Sequence, residues 1–438
     1  MAMTSQPESK YNSSRYRHYV LFLLCGVYGL NFLDRQILNI LIDPIQAELG
    51  ISNTAMGLLT GFGFSIFYVL FGIPIARWAD LGERRLIVTI GLSIWSLATA
   101  LSGFAQHYWQ LACARVFVAI GESGGTSPSS SMIADYFPRA DRARAMSIFQ
   151  TSIYVGVLFG YLFGGWISEW YGWRAAFMIA GLPGLALAAV LYFTVREPQR
   201  GMSEARPVDP RPLTIRESLS FILSQRSLVL LTLGSVLIAA SNFGFGAWVP
   251  TFLRRVHHLS GGELGTWLGF AGGLGGCAGT LLGGFLVGRL KPGSESWTLR
   301  LPALTTLCAA PVLATFLLAP SVATAMLAYA IGSALTAMQL GPVAALVQSL
   351  SRVRARTLTA AVINMLCILI GGGMGPTFVG VMTDGFTSSF GPEAVRWALM
   401  ATVPAVVLAA LCFLAGSFFI RRDLDCAEHA DAAPAPSR

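Results

Sequence analysis

Apolar runs long enough to cross a bilayer recur twelve times along this chain. A helix needs about 20 mostly apolar residues to span the hydrocarbon core. Segmenting by apolar run and by breaker residues gives spans at 19–43, 54–79, 85–104, 108–136, 143–168 and 173–195. Six more follow at 227–253, 263–288, 299–319, 321–350, 357–383 and 394–420. The chain is 54% hydrophobic and 12% charged, where soluble domains carry roughly a quarter charged residues. The expected class is an all-α membrane protein. The first 18 residues are polar and basic, so no cleavable signal is expected and the first run is span one.

The basic residues then set an orientation. With the N-terminus inside, 24 of the 30 Lys and Arg fall in the tails, the even-numbered turns and the central polar stretch, leaving Arg35, Arg115, Arg174, Arg254, Arg255 and Arg396 in spans or outer loops. That asymmetry is the positive-inside rule, and it predicts an even span number with both termini cytoplasmic. It also accounts for the net charge of +8 without a polyanion surface, so no nucleic-acid partner is expected. The stretch "REPQRGMSEARPVDPRPLTIRES" is rich in Pro and Arg and reads as a solvated linker. The predicted organisation is an N-terminal tail (1–18), a six-helix bundle (19–196), a linker (197–226), a second six-helix bundle (227–421) and a disordered cytoplasmic tail (422–438). The halves echo each other. "ARWADLGERR" ends span two and "GGFLVGRLKPG" ends span eight, while "GVLFGYLFGG" in span five answers "GGGMGPTFVG" in span eleven. Two pseudo-symmetric six-helix bundles are the layout of many secondary transporters, with the substrate site near the midplane between repeats.

Several chemistries lack their residues. The seven Cys are scattered with no CxxC, so neither a disulfide framework nor a zinc site is indicated. Only Lys10 and Lys291 are lysines, and no GxxxxGK[ST] exists, so a phosphate-binding loop of that kind is excluded from this sequence. "GESGG" (121–125) matches G-x-S-x-G, but Ser123 falls inside a membrane span and none of the five His lies mid-span. The strand–turn–helix and His–acid partners of a hydrolase are therefore missing. No enzyme activity, metal or cofactor is expected.

The informative residues are ionisable groups within spans. Each Asp or Arg at a helix centre costs about 2.5–3.5 kcal/mol on insertion scales. Residues that carry this cost face a bundle interior or aqueous cavity and pair with each other. The first half holds Asp34, Arg35, Arg115 and Glu122, with Asp43 and Asp135 nearer span ends. Arg115 and Glu122 are seven apart and share one helix face, whereas Asp34 and Arg35 point about 100° apart. Together they form a neutral set. Arginine stays charged, while a desolvated carboxylate can take a proton. Two readings stay open: a static salt-bridge cluster holding spans one and four together, or proton and substrate coupling. The spans of the second half carry almost no charge; their polar residues are amides and hydroxyls such as Asn242, Gln339 and Asn364, with Phe243, Phe245 and Trp248 forming an aromatic segment. A cavity charged on one wall and apolar on the other suits an amphiphile. In "ARWADLGERR", Asp80 precedes Arg84 and Arg85 by four and five residues, a spacing that suits a charge clasp across the turn as an inner gate. Glycines four apart (Gly156/Gly160, Gly272/Gly276, Gly279/Gly283, Gly371/Gly375) predict close helix packing.

These motifs together resemble the major facilitator superfamily, and within it the Spinster-like transporters of lysolipids and sphingosine-1-phosphate. The resemblance runs along roughly 19–420. It is carried by "GLNFLDRQILNILIDPIQAELGIS", the "AD…RR" turn, "RVFVAIGESGGTSPSSSMIADYFP", "RARAMSIF", "GWRAAFMIAGLPG", "AWVPTFL" and "GPTFVGVMTD". It implies a twelve-helix major facilitator fold and proton-linked, alternating-access transport of amphiphilic lipids. Asp34 and Glu122 are then the protonation pair, with Arg35 and Arg115 as charge partners or head-group contacts. The substrate cavity is expected to be lined by Tyr28, Asn31, Thr126, Gln150, Tyr154, Asn242, Phe243, Trp248, Gln339 and Asn364. One departure is visible: Leu81 and Glu83 stand where the superfamily turn has a basic residue and a glycine. An organic-anion or drug transporter of the same superfamily is the alternative, and a membrane-embedded lipid-modifying enzyme the alternative of another class. The expected partners are the lipid substrate, protons and membrane lipids. The expected state is a monomer in a bacterial inner membrane.

Overall fold

A computed structural model describes residues 13–199, 215–289, 295–351 and 356–424. These residues form helices and turns, with no strand among them. Among the described residues, nine helical segments are long and apolar enough to cross a membrane. Two are double length, Arg144–Thr194 with 51 residues and Leu358–Gly416 with 59. Gly172, at φ 81°, divides the first, and Gly391, at φ 55°, divides the second; both sit in the left-handed region that glycine reaches without strain. Span four crosses in two pieces, Tyr108–Ser123 and Thr126–Tyr136, because Gly124 and Gly125 interrupt it. With these, each of the twelve expected spans falls on helix among the described residues.

Local chemistry sets several boundaries that apolar runs alone misplace. Span one is expected to end at residue 43. Its helix is Ser14–Ile40, and a separate helix, Ile42–Leu49, follows. Pro44 has no N–H to return to the Ile40 carbonyl, so the ladder breaks there. Gly50, at φ 64°, caps this second helix, donating its N–H to Gln46 O. Ser52 then starts the next helix, its hydroxyl accepting from Ala55 N at 3.1 Å. Span eleven contains a π-helical turn, Cys367–Gly372, between Arg356–Leu366 and Gly373–Phe390. Within the region expected to be linker, Ile215–Ser224 is helical. Residues 200–214 and the tail beyond 424 lie outside the described residues.

The chain divides into two compact units. The first comprises Met1–Ile37 and Phe67–Asp209; the second comprises Leu38–Ile66 and Pro210–Arg438. The start of span two therefore packs with the second half of the chain. Glycine makes this possible. A Cβ on Gly57 would lie 2.7 Å from Pro376 O, and Cβ atoms on Gly61 and Gly380 would run into Gly373 O and Asn53 O. The backbones of spans two and eleven thus touch, as small residues permit in lipid. Thr377 Oγ1 donates to Gly57 O at 3.1 Å. At the loop end of this pair, Asp384 accepts from Asn53 N, Asn53 Nδ2 and Thr54 N at 3.2, 2.7 and 2.7 Å. Beside it, Arg255 donates to Asp43 Oδ1 and Gln46 Oε1, both at 2.8 Å.

Three of the glycine pairs expected to pack do so within their own units, Gly371 and Gly375 against Ala239 and Ala240 of span seven, whereas Gly272 meets the Tyr329 ring at ordinary contact distance. Gly156 and Gly160 lie against the Gly29 and Leu33 carbonyls of span one. Gly279 and Gly283 lie against the Ala334 and Met338 carbonyls of span ten.

Candidate functional site

The first unit gathers the in-span charges. Asp34 and Arg35 are neighbours on the Ser14–Ile40 helix, and their angular separation sends them to different partners. Asp34 is 2% exposed, and its Oδ2 accepts from the Thr99 hydroxyl of span three at 3.0 Å. Arg35 reaches span four, donating from Nε and Nη2 to Glu122 Oε2 at 3.0 and 2.8 Å. Glu122 is fully buried and Arg35 half-buried, so the carboxylate leaves water and the attraction between the two ions must offset that loss. The Arg35 guanidinium also lies 5.4 Å from the Phe32 ring centroid and 5.6 Å from that of Tyr68. Aromatic faces favour a cation there. Arg115, 3% exposed, acts electrostatically on both Asp34 and Glu122.

An aromatic floor extends from this cluster. Tyr28 stacks on Phe149 at 4.5 Å and meets Phe32 edge-on at 5.4 Å. Asn31 is buried alongside Glu122. Tyr68 faces both Thr126 and Arg35. Tyr154 is half-buried and Gln150 exposed. Apolar periodicity offered no signal for Phe32, Tyr68, Thr99 or Phe149, because single aromatics and hydroxyls in a span read as packing.

The second unit places its expected residues unevenly. Asn242 and Asn364 are exposed and Phe243 is half-buried, so their side chains are open to whatever fills the adjacent space. Gln339 is buried. Trp248 does not line an open surface. It is fully buried, packs beside Gly380, and its indole N–H donates to Pro376 O at 2.9 Å. An indole whose only polar atom meets a backbone carbonyl in the core is a packing residue.

The turn between spans two and three holds Arg84 and Arg85. Arg84 is buried and donates to Asp135 Oδ2, to Glu197 Oε1 at 2.8 Å, to Ser131 Oγ at 2.8 Å and to Pro198 O at 3.0 Å. Glu197 Oε2 accepts from Arg85 N at 2.8 Å, and Arg85 also reaches Val195 O and Glu83. The pair thus ties the turn to the ends of spans four and six. Asp80 lies in helix, and its side chain is outside the described residues. Asp135 and Glu197 are the partners that the expected clasp did not include. Among the described residues no cluster of His, Cys, Asp and Glu has the makings of a metal site.

The Major Facilitator Superfamily model matches residues 24–376. The chain belongs to the Major Facilitator Superfamily. It is a multi-pass membrane transporter of a small-molecule substrate, and it is Spinster-like. An MFS-type efflux pump of Mycolicibacterium smegmatis is 31% identical over 404 residues, 92% of this chain and 93% of that protein. Protein spinster homolog 3 of Danio rerio is 30% identical over 262 residues, 59% of this chain and 52% of its own length. The sphingosine-1-phosphate transporter SPNS2 of Danio rerio is 28% identical over 265 residues, 57% and 51%. The match thus spans about half the length of these two vertebrate relatives. Among solved structures, a bacterial homolog of the human lysosomal transporter Spinster, in an inward-facing and unoccupied conformation, superposes with a TM-score of 0.84. It is 30% identical, over 97% of this chain and all of that one. The in-span charges Asp34, Arg35, Arg115 and Glu122 lie within the residues that the superfamily model matches, and the likeness to the bacterial Spinster homolog covers both halves of the chain.

Proposed function

We propose that this protein is a proton-coupled, alternating-access transporter of amphiphilic lipids with an anionic head group. The observation that carries the reading is the neutral set of buried Asp34, Arg115 and Glu122 with half-buried Arg35, floored by Phe32, Tyr68 and Tyr28. The spans of the second half carry amides and aromatics instead of charge. Arg35 and Arg115 supply cationic contacts for a phosphate or carboxylate, and apolar surface accommodates a tail. Protonating a carboxylate weakens its hold on an arginine, so the proton biases the equilibrium between conformations. In this reading Arg84 and Arg85 form an inner gate with Asp135 and Glu197. The termini are cytoplasmic, the Asp43 and Asp384 contacts lie at the outer face, and the protein works as a monomer in a bacterial inner membrane.

A labelled lysophospholipid in proteoliposomes tests this, with and without an imposed proton gradient. Gradient-driven, saturable uptake is expected, and its loss is expected in Asp34→Asn and Glu122→Gln with folding retained. Undiminished gradient-driven uptake in both variants overturns the coupling assignment. The efflux-pump likeness across 92% of the chain favours a second reading, export of drugs or organic anions. A thermal-shift panel separates the two: stabilisation by lysolipids alone supports the first, and stabilisation by soluble organic anions alone the second.

A further inference from the structure

At one end of the second unit, two arginines lie on aromatic rings where three helices meet. Span seven begins there with Arg226–His257, span nine begins with Glu295–Leu318, and span twelve ends after Val403–Gly416. Gly416 permits the approach. A Cβ on it would lie 2.9 Å from the Leu299 side chain and 3.5 Å from that of Leu230. Beyond Gly416 the chain turns, and two consecutive phenylalanines serve the other two helices. The Arg300 guanidinium lies over the rings of Trp297 and Phe418, 5.7 and 5.8 Å from their centroids. The Arg226 guanidinium lies over Phe419, at 5.5 Å.

A ring contact occupies the face of a guanidinium and leaves the N–H groups in its plane available. Arg300 spends one of them weakly, on Ser417 Oγ at 3.5 Å. Among the described residues, the ion pairs lie elsewhere and neither arginine takes a carboxylate. Asp423 is near in sequence but committed: it is buried and accepts from Ser227 N and Oγ at 2.8 and 2.6 Å, filling the start of span seven. Arg421 and Arg422, beside it, are exposed. The rings are also open, Trp297 at 46% and Phe418 at 69%. From this end, exposed leucines lead along the helices toward mid-membrane. Leu304 and Leu307 follow Arg300 at helical spacing on span nine, and Leu414 and Leu411 precede Phe418 in the same way on span twelve.

We propose that this end of the second unit binds an anionic glycerophospholipid of the surrounding leaflet. The phosphodiester accepts from Arg300, and Arg226 supplies a second cation. Trp297 and Phe418 sit at head-group level, where amphipathic and aromatic rings collect. The acyl chains lie along the leucine stripes of spans nine and twelve. Basic pockets between helix ends recognise anionic lipids in this way. The lipid is a bound constituent that joins spans seven, nine and twelve, and its site is separate from the Asp34–Glu122 cluster, which lies in the other unit. The positive-inside rule accounts for arginines at such an end, but not for guanidiniums held on rings above exposed apolar stripes. Arg289 is the contrast: it lies over Phe285 at 4.1 Å, a ring of its own helix, four residues back.

Native mass spectrometry tests this on the full-length protein, purified in neutral detergent and offered phosphatidylglycerol or phosphatidylcholine. Retention of phosphatidylglycerol over phosphatidylcholine is expected. Arg300→Gln should weaken that retention about five-fold, and Arg226→Gln combined with it about 25-fold, on a scale of about a factor of five per basic residue at an anionic lipid surface. Arg289→Gln should leave it unchanged. Glycerol phosphate, a phosphate head without tails, should not displace the lipid. Thermal unfolding gives a second readout: phosphatidylglycerol should raise the midpoint of the unmodified protein and of Arg289→Gln, but not of the double variant. Where the glutamine variants fail to fold, Arg300→Lys serves instead. It keeps the charge without the planar fork that stacks on rings, and a loss of about two-fold is expected. Equal retention of the two lipids by the unmodified protein overturns the proposal. So do equal losses in Arg289→Gln and Arg300→Gln, the mark of a general basic surface, and displacement by glycerol phosphate, the mark of a site for soluble anions. Full retention in Arg300→Lys also overturns it, since charge alone would then suffice.

Discussion

Asp384→Asn is the sharpest perturbation of the contact between spans two and eleven. The carboxylate accepts three N–H groups from Asn53 and Thr54, which lie at the start of the Asn53–Thr60 helix. The first N–H groups of a helix have no intrahelical partner, and an anion placed there also meets the positive end of the helix dipole. Asparagine keeps the shape but removes the charge, and its amide must turn an N–H₂ toward one of the donors. The charge–dipole contribution is about 0.5–1 kcal/mol. Replacing a charged acceptor by a neutral one, and losing a bond, costs about 1–2 kcal/mol more. Asp384 is half-buried, so solvent screening keeps the total near 2 kcal/mol, a factor of about 30 in the local closing equilibrium.

Hydrogen–deuterium exchange with mass spectrometry measures this directly. Amides of residues 53–60 should exchange about 30-fold faster in Asp384→Asn wherever their exchange is governed by local opening. A peptide in the other unit, such as one covering Thr126–Tyr136, should not change. Unaltered exchange at 53–60 refutes the reasoning. So does an equal acceleration in both units, which would mean general destabilisation and not release of this contact.

Gly61→Ala should destabilise the detergent-purified protein by about 1–3 kcal/mol, since its Cβ would run into Gly373 O and the Thr377 hydroxyl; a melting temperature equal to the unmodified protein's would show that the helices do not touch there. Trp248→Phe should cost about 1–2 kcal/mol, from the lost N–H···O bond to Pro376 and the smaller ring, with lysolipid-induced thermal shifts retained; loss of those shifts at unchanged stability would return Trp248 to the binding surface. Arg84→Ala should be the most damaging, at about 3–5 kcal/mol, because it leaves Asp135 and Glu197 without their shared cation. Arg84→Lys should recover only part of it, as one ammonium cannot serve acceptors on spans four and six together; full recovery in a denaturation series would show that charge alone matters there.

What the sequence discloses about such a protein follows from what lipid distinguishes. Lipid tails are as apolar as leucine, so apolar runs report depth and length but not which face meets a neighbouring helix. That is why the long apolar helices were legible, and why the capture of residues 38–66 by the second half was not. The Gly57 and Gly61 spacing is present in the sequence, but its partners Gly373, Pro376 and Gly380 lie more than 300 residues away. Ionisable residues do carry partner information, because the membrane makes them costly alone. Asp34, Arg35, Arg115 and Glu122 were identifiable on that ground. Their pairing was not, since residues about 100° apart on one helix face different neighbours and composition cannot say which. Glu197 was masked by an apparent linker, and Arg84 and Arg85 by the general excess of arginine in such turns. Thr99 left no mark at all. A hydroxyl within a helix costs little, because it can always return to its own backbone, so only the cross-helix bond to Asp34 distinguishes it from its neighbours. Costly in-span ions are thus the residues that a sequence reveals, whereas the inexpensive hydroxyls that bond to them emerge only from the packing of the helices.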